Sequence, residues 1–150
     1  MSRTILTHRT PRGKRHRRWL VVSNHLTRVI VEHALRDHSN VESYRGITHD
    51  RDNLTHVHVG LELVETRTAS AVEAMFPVPV KVIPYVGLRG DPHHWGRTYR
   101  YYMHDTPDSR HKAKYHLEEI WTSPGVDVAA ALAALAVREE RDATTRAQVF

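Results

Sequence analysis

An α+β sandwich, a central antiparallel sheet of four to five strands with helices packed on one face, is predicted by three features of the sequence. Residues 54–63 show the clearest period-two alternation in the chain: Thr55, Val57, Val59, Leu61 and Leu63 point one way, while His56, His58, Gly60 and Glu62 point the other. Short apolar runs and helical patterns succeed one another in the order β-α-β-β-α-β, with more helix behind them. Turn-forming residues punctuate the joints, at Asp37 to Asn40, at Pro77 and Pro79, and at Ser123, Pro124 and Gly125. That order is the split-βαβ sandwich, ferredoxin-like or RRM-like, whose other sheet face is expected to be free.

Residues 1–17 read as a basic arm, because Pro11 and Gly13 break regular structure and Arg12, Lys14, Arg15, His16, Arg17 and Arg18 concentrate positive charge. The main domain is expected over 18–122. Its first strand, 19–23, is an apolar run bounded by charge and by Asn24. Leu26, Val29, Ile30, His33 and Ala34 recur at helical spacing and predict an amphipathic helix over 25–36. Strands follow at 41–48 and 54–63. Thr68 or Ser70 can cap a short helix over 68–76, which Pro77 and Pro79 end. A fourth strand spans 80–86, and Pro84 inside it points to a sheet edge or a strand end. With Asp91 as N-cap and Pro92 at the first helical position, a helix over 92–104 carries Trp95, Tyr99, Tyr101 and Tyr102. Residues 115–121 form a short closing element. The remaining 123–150 are a C-terminal helix and tail, Ala-rich over 126–141 with a thin stripe of Val128, Leu132 and Leu135.

Composition narrows the function classes. The 150 residues are 40% hydrophobic and suit one compact domain with its own core. Cysteine is absent, which excludes disulfides and thiolate metal sites and fits a reducing, cytoplasmic setting. No apolar run approaches a membrane span, and the first residues carry no apolar signal region. The formal charge of +5, carried mostly by arginine, favours a polyanionic partner such as nucleic acid.

Histidines at i and i+2 of a strand share a face roughly 7 Å apart, so His56 and His58 can lean toward one ion. His49 closes the preceding strand, and a tight turn brings it alongside them, with Asp52 available from the turn itself. Three imidazoles and a carboxylate make a mixed nitrogen and oxygen site for a divalent ion, with positions left for substrate oxygens. Asp50 competes with Asp52 as ligand or supports one from behind. A lone His-x-His pair on a strand is commonly incidental; His49 and Asp52 at hairpin distance tip the balance to metal.

A metal on an open sheet face beside basic residues points to phosphate chemistry, with the nucleophile supplied from elsewhere. On the 92–104 helix, Arg97, Tyr101 and His104 (or Asp105) share a face at i, i+4 and i+7 or i+8. A tyrosine with a free pKa of about 10 needs a metal, base or cation to act as phenolate. Tyr99 and Tyr102 rival Tyr101, and at least one of the three is expected in the core.

In combination, His49-Asp-Arg-Asp52, His56-Val-His58 and Tyr99-Arg-Tyr-Tyr-Met-His104 resemble the motifs of the HUH endonucleases, and most of all those of the Rep initiators of small rolling-circle plasmids. Pro107, Tyr115 and Ile120 extend the resemblance, which covers about residues 18–121. It implies that His49, Asp52, His56 and His58 bind Mn2+ or Mg2+ and that Tyr101 is the nucleophile. It further implies a nick in single-stranded or extruded origin DNA, a 5′-phosphotyrosine link and a free 3′-OH primer, with later rejoining. Host replication proteins and self-association fit the same picture. Asp50, Arg97, His104, Arg100, Lys112, Lys114, Arg15, Arg17 and Arg18 are the supporting or DNA-contacting candidates. The chain departs from the family in the short Asp52 to His56 connection, in lacking a tyrosine-proline end to the first strand, and in placing His104 where many relatives have lysine. A transposase or relaxase of the same superfamily is the nearest alternative, and a non-catalytic nucleic-acid-binding module the more distant one.

Overall fold

The computed structural model describes residues 14–51, 53–86 and 90–149. Most of the basic arm and Asp52 lie outside the described residues. The elements are β1 (His16–Ser23), α1 (Arg28–Leu35), β2 (Val41–His49), β3 (His56–Arg67), α2 (Ala69–Glu73), β4 (Lys81–Pro84), α3 (His94–Tyr102), β5 (Trp121–Thr122) and α4 (Val128–Val149). They form one sheet in the order β4-β1-β3-β2-β5, antiparallel at every junction. The α+β antiparallel sandwich therefore stands, and the first four strands adopt the split-βαβ order with β5 added beyond β2.

The alternation in β3 decides which face packs. Val57, Val59, Leu61 and Leu63 are all buried against Trp19 and Val21 of β1, Val31 and Leu35 of α1, and Val72 of α2. Each such side chain contributes about 1.5–3 kcal/mol by leaving water. The two covering helices start where the sequence places caps: the Thr27 hydroxyl accepts from the Ile30 N–H, and that of Thr68 from the Ala71 N–H. β4 is an edge strand ending at Pro84, as that residue's missing donor requires. Gly46 of β2 lies under Trp121 of β5; a Cβ there would meet the indole at 2.4 Å and the His58 carbonyl at 2.8 Å. Gly46→Ala is expected to cost about 1–3 kcal/mol by overpacking, read as a lower urea midpoint with unchanged slope.

The second sheet face is not free, contrary to the sequence expectation. α3 lies across it: Trp95 occupies the space over Gly60, where a Cβ would come within 2.6 Å of the ring, and its indole N–H donates to Glu62 at 3.1 Å. Behind α3 runs α4, whose Ala131 and Leu135 press against Gly96. Ile47, Tyr99, Tyr102, Tyr115, Ile120 and Val128 make a second buried cluster there. Aromatic area on this scale is too large to leave in water, which is why the helix docks.

Several boundaries also move. β1 begins at His16 rather than residue 19, because Arg17 and Arg18 are tied to Glu42 and Glu62 across the sheet. α3 begins at His94; Asp91 instead fixes the turn before it, accepting from the His93 N–H and pairing with Arg97. α4 continues to Val149, past the expected 141, with Arg138 and Asp142 paired one turn apart.

Candidate metal centre

The β2–β3 register sets His49 directly opposite His56 and Ile47 opposite His58, so all three imidazoles rise from the same sheet face. Their nearest ring nitrogens lie within 4.8 Å of one another. Two of the rings are aimed by backbone carbonyls: His49 Nε2 is 2.7 Å from the Tyr102 carbonyl, and His56 Nδ1 is 2.7 Å from that of Leu54. With one nitrogen of each ring held by a carbonyl, the other, His49 Nδ1 and His56 Nε2, is turned toward the cluster. Those two atoms face each other at 3.3 Å. A separation of 3.3 Å is near that of two nitrogens each about 2.0–2.1 Å from one tetrahedral ion. The cluster fits a metal.

Protonation is arranged to match. His58 is pushed down to about 3, first by burial and then by the neighbouring His49, His56 and His104. It stays neutral at physiological pH and keeps its lone pair available. The native state then binds fewer protons than the unfolded chain between pH 6.5 and about 3. The stability of the chelator-treated protein should fall as pH drops through that window. Denaturant midpoints at pH 7, 6 and 5 check this, and His58→Gln should flatten the slope.

The hairpin loop before the cluster is held by partners more than sixty residues away. The Arg51 N–H donates to the Tyr115 hydroxyl at 2.8 Å, its guanidinium lies 4.4 Å over that ring, and it pairs with Glu119 at 2.6 Å. The Tyr115 ring stacks on His49 at 4.7 Å. This clamp of Arg51, Tyr115 and Glu119 escaped the sequence reading as a unit, since no local pattern links residues so far apart.

Of the tyrosines on α3, only Tyr101 faces outward. Tyr99 and Tyr102 are 1% and 2% exposed; Tyr101 is 52% exposed, with its ring 5.6 Å from His58 in an edge-on arrangement. Tyr99 accepts a hydrogen bond from buried Arg45 at 3.3 Å. Tyr102 is completely enclosed, and burial drives its hydroxyl well above the ordinary tyrosine range, so it is disfavoured as a phenolate.

His104 does not continue the helical face of Arg97 and Tyr101 as its spacing predicts. α3 ends at Tyr102, and His104 adopts a left-handed backbone with φ of 57°. It turns inward, buried, with its ring 4.3 Å from His49 and Nδ1 2.7 Å from the Ala113 carbonyl. Asp50 is exposed and is not among the converging ligand atoms.

The basic candidates separate into two groups. Arg97 pairs with Asp91, Arg100 with Glu139, Arg17 with Glu42 and Arg18 with Glu62, while Arg15 reaches the Thr66 carbonyl and Lys114 that of His104. Lys112 is exposed and lines a shallow groove of about 460 Å³ with Arg51, His56 and His111. The arrangement is a three-histidine cluster that could hold a cation, bordered by the half-exposed Tyr101 on one side and a groove carrying Arg51 and Lys112 on the other. Among the described residues, no helix is long and apolar enough to cross a membrane. Compared with protein-family models and with curated proteins, the chain matches none.

Proposed function

We propose that the protein is a metal-dependent DNA strand transferase that nicks single-stranded origin DNA to start rolling-circle replication. The observation that carries this reading is the position of Tyr101, the one outward-facing tyrosine of α3, against the imidazole of His58. His49, His56 and His58 would hold the ion, and three imidazoles favour manganese over magnesium, which prefers an all-oxygen shell. A divalent ion held there would supply polarisation of a phosphoryl oxygen of the strand. Arg51 and Lys112, beside His56, draw the phosphate backbone into the groove. Tyr101 Oη, its proton released to water, attacks phosphorus in line. The Oη–P bond forms as the P–O3′ bond breaks, and O3′ gains a proton to become a free 3′-OH. Because one phosphodiester replaces another, a later 3′-OH can reverse the step and rejoin the strand.

The test is incubation with single-stranded DNA from the replicon's origin and manganese. A protein–DNA adduct that survives denaturing electrophoresis, with the modified tryptic peptide containing Tyr101, is the expected result. Nicking that leaves no protein attached would overturn the reading in favour of simple hydrolysis.

A further inference from the structure

Next to the histidine cluster, between α3 and strands β1 and β4, lies a cleft of about 340 Å³ walled by Leu20, Val22, Ile83, Tyr85 and Tyr101, with His58 of the cluster also in its lining. Its size falls within the range of roughly 300–1,000 Å³ usual for small-ligand sites. The sheet register explains the position: Val22 is paired with His58, Leu20 with Gly60, and Ile83 with Leu20, so the apolar side chains share the face that carries the histidines. Ile83 and Tyr101 remain 43% and 52% exposed. An apolar surface of this kind, beside a histidine cluster able to hold a cation, suits an occupant that is itself part apolar and part anionic.

We infer that this cleft seats one unpaired nucleobase of the strand whose phosphate lies at Tyr101. The inference rests on the strand-transferase reading for the identity of the polymer. The lining matches a planar heterocycle: aliphatic walls from two strands, the rings of Tyr85 and Tyr101, and no carboxylate among the wall residues. Cations stand near the cleft: Arg97, which also pairs with Asp91, lines it on α3, and Lys81, the cross-strand neighbour of Val22, is exposed on β4. A base can lie inside while the phosphates on either side of it meet cations. Bases stacked within a duplex cannot reach such a recess without leaving the stack, so the cleft itself selects for single strands.

The test is fluorescence anisotropy with the full chain in chelator, where no cleavage competes. The probes are a 12-residue thymidine oligonucleotide and a 12-residue abasic backbone of the same charge. The thymidine oligomer should bind about tenfold more tightly or better, as stacking of a single base provides. Ile83→Ala, on an exposed edge strand, and Val22→Ala should each reduce that ratio at least threefold. Val29→Ala, on the outer side of α1, should leave it unchanged. Equal affinity for the two probes, or a ratio indifferent to both cleft variants, overturns the inference whether or not a covalent adduct forms. A ratio that behaves as expected in a protein that never forms the adduct keeps the cleft as a base site and removes the nuclease reading instead.

Discussion

Tyr101→Phe is expected to abolish the protein–DNA adduct, lowering its rate of formation by on the order of 10⁴-fold or more, while leaving fold and metal binding intact. Loss of a covalent nucleophile is among the largest single-residue effects on catalysis, since no neighbour restores the missing bond. The fold should not notice: the Tyr101 hydroxyl sits on a half-exposed ring, and the ring itself is kept. Tyr99→Phe and Tyr102→Phe are the informative contrasts. Tyr99 loses its bond from Arg45, a modest penalty of about 1 kcal/mol, yet it is too deeply buried to reach a substrate. The Tyr102 hydroxyl is buried without a hydrogen-bond partner, so its removal should be neutral or slightly stabilising. Both variants should form the adduct at near wild-type rates. An adduct that persists in Tyr101→Phe and disappears in Tyr102→Phe would mean that α3 rotates on binding DNA.

The order of elements and the shared face of His56 and His58 were legible because both depend on local period. Alternation along β3 is strict, and a hairpin that begins at His49 must place it near His56. Trp95, Tyr99 and Tyr102 also fall at i, i+4 and i+7, a helical apolar stripe that excludes Tyr101. That stripe carries the information that α3 is buried against the sheet, and it runs against the expectation of a free second face. The inward turn of His104 had no such signal, because neither glycine nor proline marks the end of α3. Nor could any local pattern reveal the Arg51, Tyr115 and Glu119 clamp, whose members meet only after the chain has crossed the whole sheet. The charged start of β1 was hidden for a related reason: its arginines become strand residues through carboxylates contributed by β2 and β3.

His56→Ala is the variant that isolates the metal from the fold. His49 is 1% exposed and anchors the hairpin to the Tyr102 carbonyl, so replacing it would remove a ligand, open a cavity and orphan a buried acceptor together. His56 is only half-buried, and its carbonyl partner, Leu54, lies in the exposed hairpin loop. Titration calorimetry of the wild-type protein should register one manganese ion per chain, and magnesium should bind more weakly because imidazole nitrogen is a poor match for it. Removing an outer-shell partner of a metal-bound histidine typically costs 10–100-fold in affinity, so deleting a ligand outright should cost at least about 100-fold. The metal-free stability of His56→Ala should stay within about 1 kcal/mol of wild type. Manganese bound equally well by both proteins would sink the three-histidine centre. A loss of metal affinity without loss of stability would instead tie the ion to the facing ring nitrogens of His49 and His56, 3.3 Å apart between β2 and β3.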